Sequence, residues 1–177
     1  MSAQILDNII FEGENMGISS NDMTTNVPLP NLPIEEGLVE KVAKAPHSST
    51  SNENKDLRQI AREMREYQYL SSACRRGYIG SWEIKDNKLY LLDIKGSFKI
   101  NAPTPLFADW FSGEILVVSG EIIKYIHLGF LRKYEFEREI NIENGIVKNI
   151  KFIDNRQRAK DEGWKLRRGP INYIEED

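Results

Sequence analysis

Cysteine and histidine are nearly absent from this chain of 177 residues, which holds one cysteine and two histidines. A single cysteine excludes a disulfide framework within the chain. Cys74, His47 and His127 together offer fewer soft ligands than a structural zinc site requires, so we expect no metal. We also expect no cofactor, because the phosphate-binding and nucleophile motifs of nucleotide-fold enzymes and serine hydrolases are missing.

Long apolar runs are missing as well. None approaches the length of about 20 residues that a membrane-spanning helix needs. The first residues lack the basic stretch and the apolar stretch of a secretory signal. We therefore expect a cytoplasmic protein with no membrane partner.

Hydrophobic alternation with a period of two residues dominates the chain after Gly77 and predicts short strands. Asp86-Asn87 and Asn144-Gly145 are typical of tight hairpin turns. No helical pattern separates these strands, which makes a parallel sheet with crossover helices unlikely. The predicted fold class is mainly β, an antiparallel meander that forms a small partly closed barrel with one N-terminal flanking helix. A two-layer sandwich is the alternative.

Changes in composition divide the chain into five segments. We predict a short β-hairpin over 1–19, able to join the main sheet, and a flexible linker rich in acidic residues, proline and serine over 20–54. An amphipathic helix over 55–72 precedes the β domain of 73–155. A charged C-terminal tail over 156–177 completes the chain.

Residues 71–155 carry a series of motifs: R-G-Y-x-x-x-W-E-I, L-Y-L, F-A-D-W-F-S-G-E and Y-x-H-x-G-F. On these motifs the chain resembles a family of small bacterial proteins without an established activity. The resemblance implies a shared β-rich fold and brings no activity with it. Where the family pattern has Cys-Trp-Arg-Gly, this chain has Cys74-Arg75-Arg76-Gly77.

Asp109 and His127 are the candidate catalytic residues. Asp109 lies in an aromatic stretch, where an acid in apolar surroundings favours general acid–base chemistry. His127 is the single histidine of the predicted β domain and could exchange a proton with it. Such a pair would make the chain a hydrolase or a lyase, with Glu83 and Glu121 as reserve partners. Structural roles in a turn and a strand are the simpler interpretation, and we favour them.

Arg76, Tyr78, Trp82 and Trp110 are the candidate ligand-binding residues. The guanidinium group of Arg76 beside the hydroxyl of Tyr78 is suited to an anion. The two tryptophans fill a core or, if the barrel has an open mouth, hold an apolar or ring-shaped ligand. The leading hypothesis is therefore a non-enzymatic binding or interaction module whose partner, a small ligand or a protein, is unknown.

Nucleic-acid binding through an arginine-rich helix is the remaining hypothesis. Residues 55–76 hold six basic and three acidic side chains, and Arg58, Arg62 and Arg65 lie on one predicted helix face. The net charge of the whole chain is -3, whereas nucleic-acid-binding proteins usually carry a strong basic excess. We therefore regard nucleic acid as an unlikely partner, and the sequence leaves the oligomeric state open.

Overall fold

The computed structural model describes residues 5–20, 30–42, 74, 76–124 and 132–164. Strands account for 61% of the described residues and a short helix for 6%, which confirms the predicted mainly-β class. The elements below are numbered in chain order.

The strands and the helix have the following bounds: β1 (Asp7–Phe11), β2 (Glu14–Ser19), β3 (Val39–Lys41), β4 (Tyr78–Lys85), β5 (Lys88–Gly96), β6 (Phe98–Ile100), β7 (Leu106–Phe107), β8 (Gly113–Lys124), β9 (Lys133–Glu143), β10 (Ile146–Asp154) and α1 (Asn155–Asp161).

Eight of the strands form one sheet in the order β10-β9-β8-β2-β1-β4-β5-β7. The hairpin of β1 and β2 lies in the middle of this sheet, between β8 and β4. β1 runs parallel to β4, with Ile9 opposite Trp82, whereas the other pairings of this sheet are antiparallel. The strands of the predicted meander pair antiparallel with one another, and the sheet becomes mixed where the N-terminal hairpin joins β4. A long connection separates β2 from β4 in the chain, so β4 is free to enter the sheet in either direction.

The sheet curves until its two ends meet at one residue pair, Ile146 of β10 and Lys88 of β5. Backbone hydrogen bonds from Val147 N to Asn87 O and from Leu89 N to Gly145 O, both 2.8 Å, join the neighbouring turns. No further pair between β5 and β10 occurs among the described residues. The ring of strands is thus partly closed, with a joined end and an open side.

The hydrophobic core fills the inner face of this ring. Its largest fully buried side chain is Trp82, and Leu89, Leu91 and Ile140 lie around it with no exposed surface. The segment between β7 and β8 covers the joined end, where Ala108 N donates to Leu89 O at 2.9 Å.

Residues 30–42 belong to the folded body, although the sequence predicts a linker over 20–54. Leu32 and Val39 are buried in the main core, with 7% and 1% of their surface exposed. β3 pairs with β6, placing Val39 opposite Ile100. The linker prediction is wrong for this part, because burial and strand pairing offset the entropy lost on ordering the chain. The proline content of this segment did not indicate that Leu32 and Val39 would be buried.

A helix also occupies the start of the segment predicted as a tail over 156–177. Asp154 caps α1 (Asn155–Asp161), accepting a hydrogen bond from Arg156 N at 3.0 Å. Ala159 is fully buried, so this helix packs against the body of the protein. The tail prediction is therefore wrong for the first turns after β10, where a capping aspartate and an apolar contact suffice to order the chain.

The predicted amphipathic helix over 55–72 lies outside the described residues and stays a prediction. Within the part of the chain that the structure describes, no helix is long and apolar enough to cross a membrane.

Substitution of Val39 tests whether residues 30–42 are part of the core. We expect Val39→Ala to lower the free energy of unfolding by about 1.5–3 kcal/mol, because it removes buried methyl groups. Val42→Ala is the matched control, since Val42 is 44% exposed and should tolerate the same change. Chemical denaturation measures both. If both substitutions leave the free energy of unfolding nearly unchanged, this segment does not belong to the folded body.

Candidate functional site

A buried carboxylate joins the N-terminal hairpin to the rest of the sheet. Asp7 accepts three hydrogen bonds: from Arg76 Nη2 at 2.8 Å, from Gly80 N at 3.0 Å and from Trp82 Nε1 at 3.0 Å. The side chains of Asp7 and Arg76 are 0% and 1% exposed. We call these four residues the Asp7 cluster. Its hydrogen bonds link β1 to β4 beside their parallel backbone pairing.

Glycine at position 80 leaves the space that this cluster occupies. A Cβ atom there would lie 2.6 Å from Trp82 Nε1 and 2.7 Å from Asp7 Oδ2, both shorter than a van der Waals contact. Any larger residue would push the indole or the carboxylate away. Close packing therefore explains why the second glycine of the motif R-G-Y-x-G-S-W, Gly80, cannot be a larger residue.

Burial governs the ionisation of the groups around the cluster. It raises the pKa of Asp7, while the charge of Arg76 and the hydrogen bonds from Gly80 and Trp82 oppose that rise. Burial likewise raises the pKa of the Tyr78 hydroxyl and of the Cys74 thiol. Raised pKa values keep Cys74 and Tyr78 protonated at neutral pH, so neither is activated as a nucleophile or a base.

Three of the predicted ligand-binding residues come together here, and they are buried. Tyr78 and Trp82 are 4% and 0% exposed, and the guanidinium carbon of Arg76 lies 5.3 Å from the centre of the Tyr78 ring. The predicted mouth lined by these side chains is therefore wrong. Arg76 binds an internal anion, Asp7, because only a buried partner offsets the cost of burying its charge.

Trp110 and Asp109 lie elsewhere, on the segment that plugs the joined end. Trp110 is partly buried against the core, and its Nε1 donates to Asn31 O at 2.9 Å. Asp109 is exposed, so the expectation of an acid enclosed by aromatic side chains is wrong. Ala108 and Phe111 of this short segment are buried in the core, whereas Asp109 between them is exposed to solvent.

The proton-transfer pair stays a prediction. His127 lies outside the described residues, and so does the predicted arginine helix apart from Cys74 and Arg76. Of the reserve partners, Glu83 is partly exposed and Glu121 is exposed. No group of histidine, cysteine or acidic side chains placed to hold a metal occurs among the described residues.

Two cations and three aromatic rings form a continuous row of contacts. Its contacts are Arg156 over Phe136 at 4.7 Å, Phe136 stacked with Phe152 at 5.9 Å, Phe152 under Arg138 at 5.1 Å, and Arg138 over Phe11 at 5.7 Å. We call this row the ladder. It begins on α1, passes through β9 and β10, and ends on β1.

The ladder borders an exposed patch on the inner face of β10. Ile150 lies opposite Ile140, a fully buried core residue, and Phe152 lies opposite Arg138. Directly opposed residues of paired strands share a face, so Ile150 and Phe152 point toward the core side. They are nevertheless 41% and 54% exposed, because β5 and β10 separate beyond their single pair. We call Phe136, Arg138, Ile150 and Phe152 the open face.

The two guanidinium groups of the ladder differ in their partners. Arg156 binds both carboxylate oxygens of Asp154, with its Nη2 2.7 Å from Oδ2. Arg138 donates from Nη1 to the hydroxyl of Ser119 at 3.2 Å and has no ion pair with a carboxylate of the described residues. The positive charge of Arg156 is thus matched by a carboxylate, whereas no carboxylate of the described residues is paired with Arg138.

Sequence reasoning missed the open face, although one signal for it was present. Arg138 is the cation in a strand series that is otherwise aromatic or aliphatic: Tyr134, Phe136, Ile140 and Ile142. A charge on the apolar face of a strand indicates an internal partner or a functional role. The exposure of Ile150 and Phe152 had no local signal, since it depends on where β5 and β10 part.

Comparisons with protein-family models, with curated proteins and with solved structures give no match for this chain. The resemblance of residues 71–155 to a bacterial family therefore stays a prediction, and the functional argument depends on the geometry of the site.

Removal of the Asp7 carboxylate tests the importance of its cluster. We expect Asp7→Asn to lower the free energy of unfolding by about 3–5 kcal/mol, because it leaves the charge of Arg76 buried without its counterion. Replacing both partners, as Asp7→Leu with Arg76→Met, should cost less than the single change. Asp109→Asn is the control and should stay within about 0.5 kcal/mol of the parent, since Asp109 is exposed. An Asp7→Asn protein as stable as the parent would contradict this role.

Titration of Asp154 tests the pairing at the start of α1. Hydrogen bonds from Arg156 lower the pKa of this carboxyl from 3.8 to about 2. Because the pKa is lower in the folded state, the pair stabilises the protein above pH 3.8, and that contribution is lost as the pH falls toward 2. NMR should give this midpoint for the parent, and Arg156→Gln should return it toward 3.8. A midpoint that Arg156→Gln leaves unchanged would rule out the pairing.

Proposed function

We propose that this chain is a cytosolic, non-enzymatic binding module that holds a small apolar or ring-bearing ligand at the open face. The observation that carries the proposal is the exposure of Ile150 and Phe152 on the core side of β10. Apolar side chains that face a core and remain exposed next to one another are typical of binding sites.

The surroundings of the two side chains support a bound ligand. Phe136 stacks on Phe152 with an angle of 21° between the rings, which holds the Phe152 side chain in place. Arg138, two residues further along the same strand β9, contacts the same ring with its guanidinium group. A wall fixed in this way loses little conformational entropy when a ligand binds, and this favours affinity.

A small ligand fits this region better than an added protein strand. The register of β10 shifts between Val147 and Asn149, and Lys148 and Lys151 are exposed along it. Bulges and lysines are the features by which edge strands avoid pairing with another chain. The open face lies on the inner side of this protected strand, where a compact group can enter.

The enzyme hypothesis has less support. A hydrolase or lyase would need Asp109 in contact with an oriented proton-transfer partner. Asp109 is exposed on the plug segment, which borders the joined end of the ring, whereas the open face lies on β9 and β10. Among the described residues, no acid and base lie together beside a surface that could hold a substrate.

Binding of an uncharged fluorescent probe tests the proposal. N-phenylnaphthylamine should bind the parent with a rise in fluorescence. The double change Ile150→Ser with Phe152→Ser should weaken binding by at least about tenfold, because it removes the apolar contacts. Ile34→Ser is the matched control: Ile34 is 48% exposed in the turn before β3 and should leave binding unchanged.

Thermal unfolding of each variant must accompany these titrations, so that a loss of binding is not confused with a loss of fold. A parent protein that binds no probe, or equal affinities for the parent and the double variant, would contradict a ligand site at the open face.

A further inference from the structure

We infer that the ligand of the open face is a small aromatic or apolar anion, and that Arg138 binds its charged group. The inference rests on the proposed function and specifies the chemistry of that same site. The juxtaposition that supports it is a guanidinium group that no carboxylate of residues 5–20, 30–42, 76–124 or 132–164 neutralises, beside exposed apolar side chains on the core face of the sheet.

The first argument is the placement of Arg138. The guanidinium carbon lies 5.1 Å from the centre of the Phe152 ring and 5.7 Å from that of Phe11. Phe11 is 5% exposed and belongs to the main core, so one side of this cation faces the protein interior. A charge in such surroundings is less screened by water, and its attraction for an anion is correspondingly stronger.

The second argument is the comparison with the other cations of the region. Arg156 is held by Asp154, Arg158 by Glu162 and Lys151 by Glu139, each through an ion pair on the protein itself. Arg138 differs because its hydrogen bond within the described part of the chain is to the neutral hydroxyl of Ser119. Its neighbours restrain the side chain through ring contacts and leave its charge available to a ligand.

The third argument concerns the rest of the ligand. An anion held at Arg138 lies beside Phe152, so a ring or chain attached to it would extend along Phe152 toward Ile150. A carboxylate or a sulfonate on a flat apolar body matches both parts of this surface. A polynucleotide matches it less well, because the chain has a net charge of -3 and lacks the basic excess that binds a chain of phosphates.

Two probes of similar shape separate the charge from the apolar body. Anilinonaphthalene sulfonate carries an anionic group, and N-phenylnaphthylamine has the same ring system without it. We expect Arg138→Gln to weaken binding of the sulfonate by about tenfold or more and to leave the uncharged probe nearly unchanged. Arg138→Lys should recover part of the affinity. Arg158→Gln removes the same charge from the exposed face of α1 and should affect neither probe.

The outcomes distinguish this inference from the proposed function. If neither probe binds the parent, both fail. If both probes bind the parent and Arg138→Gln changes the affinity of neither, the proposed function stands and the inference about Arg138 is overturned. If Arg138→Gln lowers the affinity for both probes equally and leaves thermal unfolding unchanged, Arg138 acts through its apolar contacts alone. That result would overturn the inference.

A competition experiment on the unaltered protein covers the case in which Arg138→Gln does not fold. Benzoate should displace N-phenylnaphthylamine at a concentration about tenfold or more below that of benzyl alcohol, and added salt should narrow the difference. Equal displacement by the two compounds would overturn the inference. Displacement by a mixed-sequence oligonucleotide at far lower concentration than benzoate would also overturn it, in favour of a polynucleotide.

Discussion

The buried carboxylate of Asp7 determines how the N-terminal hairpin joins the sheet, and the arrangement of the other strands follows from that junction. A charged group without solvent contact is tolerated only when strong donors surround it, and Arg76, Gly80 and Trp82 supply them. All three donors lie on or just before β4, so satisfying the carboxylate requires β1 to lie beside β4. The hairpin of β1 and β2 is thereby fixed in the centre of the sheet, where it completes the ring of strands.

The position of that hairpin also shapes the open side. With β1 and β2 inserted, the curved sheet brings β10 back to β5 at Ile146 and Lys88, and the strands then separate. The inner surface of β10 is left partly uncovered, and Arg138 reaches across it to Phe11 of β1. The same curvature that encloses the core therefore exposes an apolar and cationic surface at its margin.

Much of the fold was predictable because it follows local rules. The alternation in residues 78–85 and 133–143 predicts strands, and the structure places β4 and β9 there. Residues 30–42 were mispredicted, since the burial of Leu32 depends on strands distant in the chain. The candidate site was predicted in part, since Arg76, Tyr78 and Trp82 do lie together. The internal partner of Arg76 and Trp82 is Asp7, which lies 69 and 75 positions earlier in the chain. No local pattern encodes such a partner.

Local residue patterns account for most of the strands and for the turns between them. Asp86-Asn87 and Asn144-Gly145 adopt the left-handed conformations that their residue types tolerate, with φ between 47° and 76°. Periodicity and turn chemistry act within a few residues, so they can be read along the chain. Contacts between distant segments set the parallel pairing of β1 with β4, the burial of Arg76 and the exposure of Phe152. Each of these depends on which distant strands become neighbours and on where two of them part.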